Sequence, residues 1–316
     1  MGNLHGTTNA LSLDQQEIVL VIWRACSGIS LGALTLVILS MIVTRQFQKP
    51  HQQLIFTMFC ATFGVYFFAI LAGDRSISTS HPAFCTAAGF MLQLCWNANI
   101  VGVLSISVNL YRTIVSLKPM KHDSLPIFHF FIWTYSFFLS SLPLCTGSYG
   151  WVGAYCWIDS SPDGNFWRMV TLYWPMIGYD LLMVTIYTMI IYSVVRQRSI
   201  QATISGLSST HSAPKPLIAT GYIQFMLLYP LVFFVFSTPA LVNRYYSTYT
   251  GIANFSLAVT QSVSIGLMGL AYSLVFGWKA LKHWREILIR VRLLPTVVIQ
   301  RCCPQLINEN GRGSIV

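Results

Sequence analysis

Charge is what this chain has least of. Asp, Glu, Lys and Arg make up 9% of its 316 residues, against about 25% in a soluble domain. That shortage excludes a water-soluble globule of this length. Acids are scarcer than bases, 9 against 19, for a net charge of +10. Such a balance suggests a nucleic-acid partner, but the bases are spread between apolar runs and form no patch, so none is expected. Catalytic signatures are also missing. There is no His-Glu-x-x-His, no paired-Asp motif of an intramembrane protease and no phosphate-cradling glycine loop followed by Lys. No enzyme activity, metal or cofactor is therefore expected. The last apolar run has no Lys, which excludes a retinal Schiff base there. The N-terminal MGNLHGTTNALSLDQQE lacks the basic region and short apolar core of a cleavable signal. Gly2 meets Gly6 where myristoylation wants Ser or Thr.

Long apolar runs are abundant instead. Seven of them cover roughly 18–43, 54–73, 84–111, 125–144, 167–195, 217–243 and 252–276. Each has about the 20 residues needed to cross roughly 30 Å of hydrocarbon as a helix. The runs do not alternate in polarity, so a membrane barrel is excluded. In lipid the helix pairs every backbone group within its own segment. The predicted class is an all-α membrane protein: a seven-helix bundle followed by an amphipathic eighth helix.

Of the 19 Lys and Arg, 15 lie in the gaps after runs one, three and five or in the tail. The other side holds Arg24, Arg75, Arg168 and Arg244. Basic loops stay in the cytoplasm, so the N-terminus is predicted outside and the C-terminus inside. The expected organisation is an extracellular segment 1–17, a bundle over 18–276, an interfacial helix over 277–294 and a cytoplasmic tail over 295–316. The gap 196–216 reads as a solvated connector, with Ser199 after Arg196 and Arg198 as a phosphorylation candidate.

Gly277 marks a break, and Pro295 ends the segment after it. Between them Trp278, Leu281, Trp284, Leu288 and Val291 form one stripe opposite Lys279, Lys282, His283, Glu286 and Arg290. Such a basic amphipathic helix lies against anionic lipid. Cys302 and Cys303 follow as palmitoylation candidates. Cys85 and Cys156 both fall on the predicted outer side, where a disulfide is chemically allowed. Loop position favours that pair, with Cys145 the competing partner. Small residues recur on one stripe in run three (Ala98, Gly102, Ser105, Asn109) and in run seven (Ala258, Ser262, Gly266, Gly269, Ser273), a pattern that lets helices approach closely. Pro143, Pro175, Pro230 and Pro239 predict kinks. Asp180 is the one acid in run five, about half-way along it. A carboxylate at bilayer depth is costly and must face the interior, water or a partner. Asn254-Phe255-Ser256 is a glycosylation sequon against the membrane.

Tyr149-Gly150-Trp151-Val152-Gly153-Ala154-Tyr155-Cys156-Trp157-Ile158 resembles the loop signature of the cyclic-AMP-receptor-like family of G-protein-coupled receptors. Trp167-Arg168, Tyr229-Pro230-Leu231-Val232-Phe233 and Val275-Phe276-Gly277 are similar to that family too. Rhodopsin-like signatures are absent. Asn109-Leu110-Tyr111-Arg112 stands where an acidic-Arg-Tyr triplet would be, and no Asn-Pro precedes Ala271-Tyr272. The resemblance implies a plasma-membrane receptor that takes an extracellular small molecule and activates a heterotrimeric G protein. A seven-span small-molecule transporter is the alternative, although no matching broken spans are seen.

The expected ligand contacts are Gln93, Asn97, Asp180, Arg168, Asn243 and Arg244, under an aromatic rim of Tyr149, Trp151, Tyr155, Tyr245 and Tyr246. Arg168 and Arg244 would suit an anion such as a cyclic nucleotide. The five acids and four bases on that side do not demand one. The expected G-protein-facing residues are Arg112, Lys118, Lys121, Arg196 and Arg198.

Overall fold

A computed structural model of the chain describes residues 11–116, 124–207 and 220–302. Among them seven helical segments are long and apolar enough to span a membrane: Leu13–Val43, Gln52–Leu71, Pro82–Ile114, Leu125–Thr146, Pro162–Gln197, Met226–Thr250 and Phe255–Trp278. The helices are α1 (Leu13–Val43), α2 (Pro50–Leu71), α3 (Arg75–Ser80), α4 (Pro82–Ile114), α5 (Leu125–Ser141), α6 (Pro162–Arg168), α7 (Trp174–Leu207), α8 (Thr220–Thr250) and α9 (Phe255–Cys302). A hairpin of β1 (Tyr149–Trp151) and β2 (Cys156–Ile158) lies between α5 and α6.

Three boundaries differ from the sequence reading. Helix α1 starts at Leu13 rather than near 18, because Ser12 and Gln15 form a capping box with bonds of 3.2 and 3.3 Å. Helix α7 runs on to Leu207, so the first half of the expected connector is helical; Gln and Arg are good helix formers. The backbone of α9 stays helical through Gly277 and Pro295 to Cys302, so neither the break nor the stop is present. A lone glycine costs a helix only about 1 kcal/mol. The described residues fall into two compact units, divided between Ser273 and Leu274. Side chains from Lys279 onward, Cys302 included, and all of Cys303 lie outside the described residues.

Helix α4 is the centre of the first unit. It packs on α2, α5, α7, α8 and both strands, and 83% of its most apolar window is buried, against 22% for Pro162–Gln197. The outward faces of the other helices carry bare Phe130, Leu181 and Val235, as lipid-facing surface should. The small-residue stripes lie where helices meet. A Cβ on Gly102 would touch Met58 of α2 at 3.6 Å.

Hydroxyls lock α9 to α1 and α2. Tyr66 donates to the Ile265 carbonyl at 2.6 Å and accepts from the Gly269 amide at 3.1 Å. Ser30 donates to the Gly266 carbonyl at 2.5 Å and accepts from the Leu270 amide at 3.0 Å. Each hydroxyl thus bridges an amide and a carbonyl four residues apart, the pair that bonds in a regular helix. Without water to compete, every such polar atom must find a protein partner.

The prolines follow the same rule. Pro175 has no N–H for the Thr171 carbonyl, and a π turn spans Met169–Tyr173 just before it. Gln93 Nε2 donates to that carbonyl at 3.3 Å. Pro143 sits in a 3₁₀ turn, Leu142–Thr146, where it deprives the Ser140 carbonyl; Tyr149 donates there at 2.8 Å. Near Pro230, Tyr187 donates to the Leu227 carbonyl at 3.1 Å.

Candidate functional site

The hairpin forms because its turn residues permit it. Gly147 (φ +63°) leads into β1 and Gly153 (φ +96°) sits in the tip, both in the left-handed region that glycine tolerates. Val152 donates to the Tyr155 carbonyl at 3.0 Å. The strands pair antiparallel, Tyr149 with Ile158 and Trp151 with Cys156. Cys156 is bonded to Cys85 in the first turn of α4, and Cys145 is free and exposed. The pair favoured by loop position is therefore the one formed.

Gly89 lets the hairpin settle on α4. A Cβ there would come within 3.0 Å of Tyr149 Cδ1 and 3.2 Å of Trp157 Cα. From the far side Arg168 reaches the Ile158 carbonyl through two donors, at 2.6 and 2.9 Å. Its guanidinium also lies 4.9 Å over the Trp157 ring. Trp157 donates through Nε1 to Gln93 Oε1 at 2.7 Å. Burial pushes the Tyr155 hydroxyl up to about 12, with Tyr173 adding to the shift. It stays protonated at neutral pH.

Beneath this roof is a cavity of about 500 Å³, within the usual range for small-molecule sites. Its roof is Val152, Gly153, Ala154, Tyr155 and Trp157. Its walls include Trp23 of α1, Leu92 and Trp96 of α4, Tyr173 of the π turn and Met176 of α7. Gln261, Ser262 and Ile265 of α9 close it. Among the described residues none of the lining is an acid, a base, a His or a Cys.

None of the six expected ligand contacts lines this cavity. Gln93 and Arg168 stand behind it and hold its roof. Asn97 donates to Ser140 at 3.2 Å. Asn243 donates to Gln261, a lining residue, at 2.6 Å. Arg244 donates to Asn165 at 2.6 Å and lies 5.7 Å over the Tyr173 ring. Of the expected aromatic rim only Tyr155 takes part. Polar residues in lipid must satisfy one another, so they are used up as scaffold and uncharged side chains are left to face the space. The lining escaped sequence reading because apolar and aromatic residues in a span carry no distinguishing pattern. The pair Gln261-Ser262, polar within run seven, was the available clue.

Asp180 is 6% exposed and lies apart from the lining. Its Oδ1 has no hydrogen-bond partner among the described residues. The Tyr272 hydroxyl lies beside Asn99, within the field of Asp180, without a well-aligned bond. Asn99 itself accepts from Thr62 at 3.0 Å. The expected interior carboxylate is thus interior, in a polar set drawn from α2, α4, α7 and α9.

At the opposite end of the bundle, Arg112 occupies the last turn of α4. Arg196 lies exposed late in α7. Both helices start at the hairpin and run away from it, so these bases share one end. Arg198 is on the same helix, its side chain outside the described residues, as are Lys118 and Lys121 entirely. Arg24 bonds to the Gly73 carbonyl at the hairpin end. The sequon residue Asn254 caps α9 by accepting from Leu257 at 3.2 Å.

No known protein-family profile matches the chain. Its sequence is 26% identical over 248 residues to the RPE-retinal G protein-coupled receptor of Homo sapiens, covering 74% of this chain and 83% of that protein. The Bos taurus protein of the same name is 24% identical over 216 residues, covering 66% and 72%. Among solved structures, squid rhodopsin superposes with a TM-score of 0.56 at 16% identity, over 82% of this chain and 79% of the other. The chain is thus a multi-span membrane protein with the seven-helix fold of rhodopsin, and the proteins it is similar to in sequence are G-protein-coupled receptors.

Proposed function

We propose that this protein is a plasma-membrane G-protein-coupled receptor whose agonist enters the cavity beneath the disulfide-tethered hairpin. The cavity carries the reading: it is lined by α1, α2, α4, α7, α8 and α9 together, so an occupant would bias the packing of six helices at once. The hairpin end faces outside. The disulfide suits an oxidising space, and that end holds Arg24, Arg75, Arg168 and Arg244 while the richer basic set lies at the other. There Arg112, Lys118, Lys121, Arg196 and Arg198 meet the G protein. The segment 277–294 lies on anionic lipid, with Cys302 and Cys303 as further anchors. Kinship with the cyclic-AMP-receptor-like family rests on the loop 149–158 and leaves the ligand open.

Purified protein in lipid nanodiscs should accelerate nucleotide exchange on a heterotrimeric G protein. Replacing Arg112 with Ala should abolish most of that acceleration at unchanged surface expression. Equal exchange by the variant would restrict Arg112 to setting topology. Asp180→Asn should change basal exchange about tenfold, the equivalent of about 1.4 kcal/mol, because a buried carboxylate without a full set of partners biases whichever helix arrangement solvates it better. An exchange rate matching wild type would make Asp180 a packing residue only.

A further inference from the structure

We infer that the cavity beneath the hairpin takes an uncharged, largely apolar, flat molecule, and holds it without a covalent bond. The inference rests on reading the cavity as the receptor's ligand site, and three observations carry it.

The first is the lack of charge. Among the described residues no acid, base or His lines the space. Arg168 is committed to the Ile158 carbonyl and the Trp157 ring; Arg244 bonds Asn165 through Nη2 and keeps an unpaired, buried Nε, and neither residue lines the cavity. An anion such as a cyclic nucleotide would lose water with no charged side chain of the lining to replace it. A cation would meet the same obstacle. The second is the lack of a nucleophile. Among the described residues the lining has neither Lys nor Cys, so neither an imine nor a thioester can form there.

The third is the aromatic lining. Trp96 is 7% exposed and lines the cavity, but its Nε1 is buried out of the space, and Trp157 spends its N–H on Gln93, so neither indole N–H is offered to the occupant. The rings of Trp23, Trp96, Tyr155, Trp157 and Tyr173 supply flat apolar walls for it.

The test uses the intact protein in nanodiscs and two fluorescent probes of similar size. Prodan is uncharged and has a ketone; 1-anilinonaphthalene-8-sulfonate is an anion. Prodan should bind saturably, and the sulfonate should bind at least about tenfold more weakly. Ala240→Trp, which fills the cavity wall, should weaken prodan about tenfold or more. Leu181→Trp, on the lipid face and 65% exposed, should leave it unchanged and serves as the control for an added indole.

Saturable sulfonate binding of equal or greater strength overturns the uncharged class. So does prodan uptake that never saturates, or that Ala240→Trp leaves unaltered while the variant elutes as native protein. Binding is read without any G protein. If binding behaves as expected and nucleotide exchange is absent, the receptor reading fails while the ligand class stands.

Discussion

Replacing Cys85 with Ser is expected to cost about 2–4 kcal/mol of stability, the range for a native disulfide closing a loop of this size. The bond joins positions 71 residues apart. It holds β2 on the first turn of α4, where Cys85, Cys156, Ala72 and Ala88 form a small buried cluster. The effect should not stop at stability. The hairpin supplies the roof of the cavity from Val152 to Trp157, so its release opens the site to water. Arg168 and Gln93 would still hold Ile158 and Trp157, which is why the bundle should remain folded. Thermal unfolding followed by a thiol-reactive dye, together with prodan titration, measures both consequences. A variant with wild-type melting and wild-type binding would show that these hydrogen bonds alone keep the roof in place.

Gly269→Ala is expected to destabilise the protein by about 1–3 kcal/mol through overpacking. The added Cβ would sit 2.7 Å from Tyr66 Cε2, 2.8 Å from Leu34 Cδ1 and 3.0 Å from Ser30 Cβ. Tyr66 and Ser30 cannot yield cheaply, because their hydroxyls bridge backbone groups of α9. The matched control is Gly28→Ala on α1, where nothing lies within 4 Å of the new methyl. That change should be neutral or stabilising by about 0.5–1 kcal/mol, since alanine loses less backbone entropy in a helix. Equal melting temperatures for the two variants would mean that α1, α2 and α9 pack less closely than described.

Seven spans, their order and the separation of charge between the two ends were legible in the residues alone. Each rests on a local or summed property: how many apolar residues run together, and which gaps are basic. The Cys85–Cys156 pair was legible too, because few cysteines lie on that side of the membrane. Boundaries were less so. Ser12 extends α1 by capping it, and Gly277 does not end α9, since a weak helix former is overruled by its neighbours.

The cavity was not legible. Sequence reading chose the charged and amide side chains as ligand contacts, on the rule that polar groups in a membrane are functional. In the folded chain Gln93, Asn97, Arg168, Asn243 and Arg244 each bond a backbone or side-chain partner across the bundle, with Arg244 Nε left unpaired, and Asp180 lies apart from the lining. Which residue faces the space and which braces the wall depends on helix rotation and on where α4 meets α7 and α9. Those contacts join residues distant in the chain. Periodicity along one helix records which face is small or apolar. The face opposite it belongs to another segment, and only their packing brings Trp23, Trp96, Tyr173 and Ser262 around one cavity.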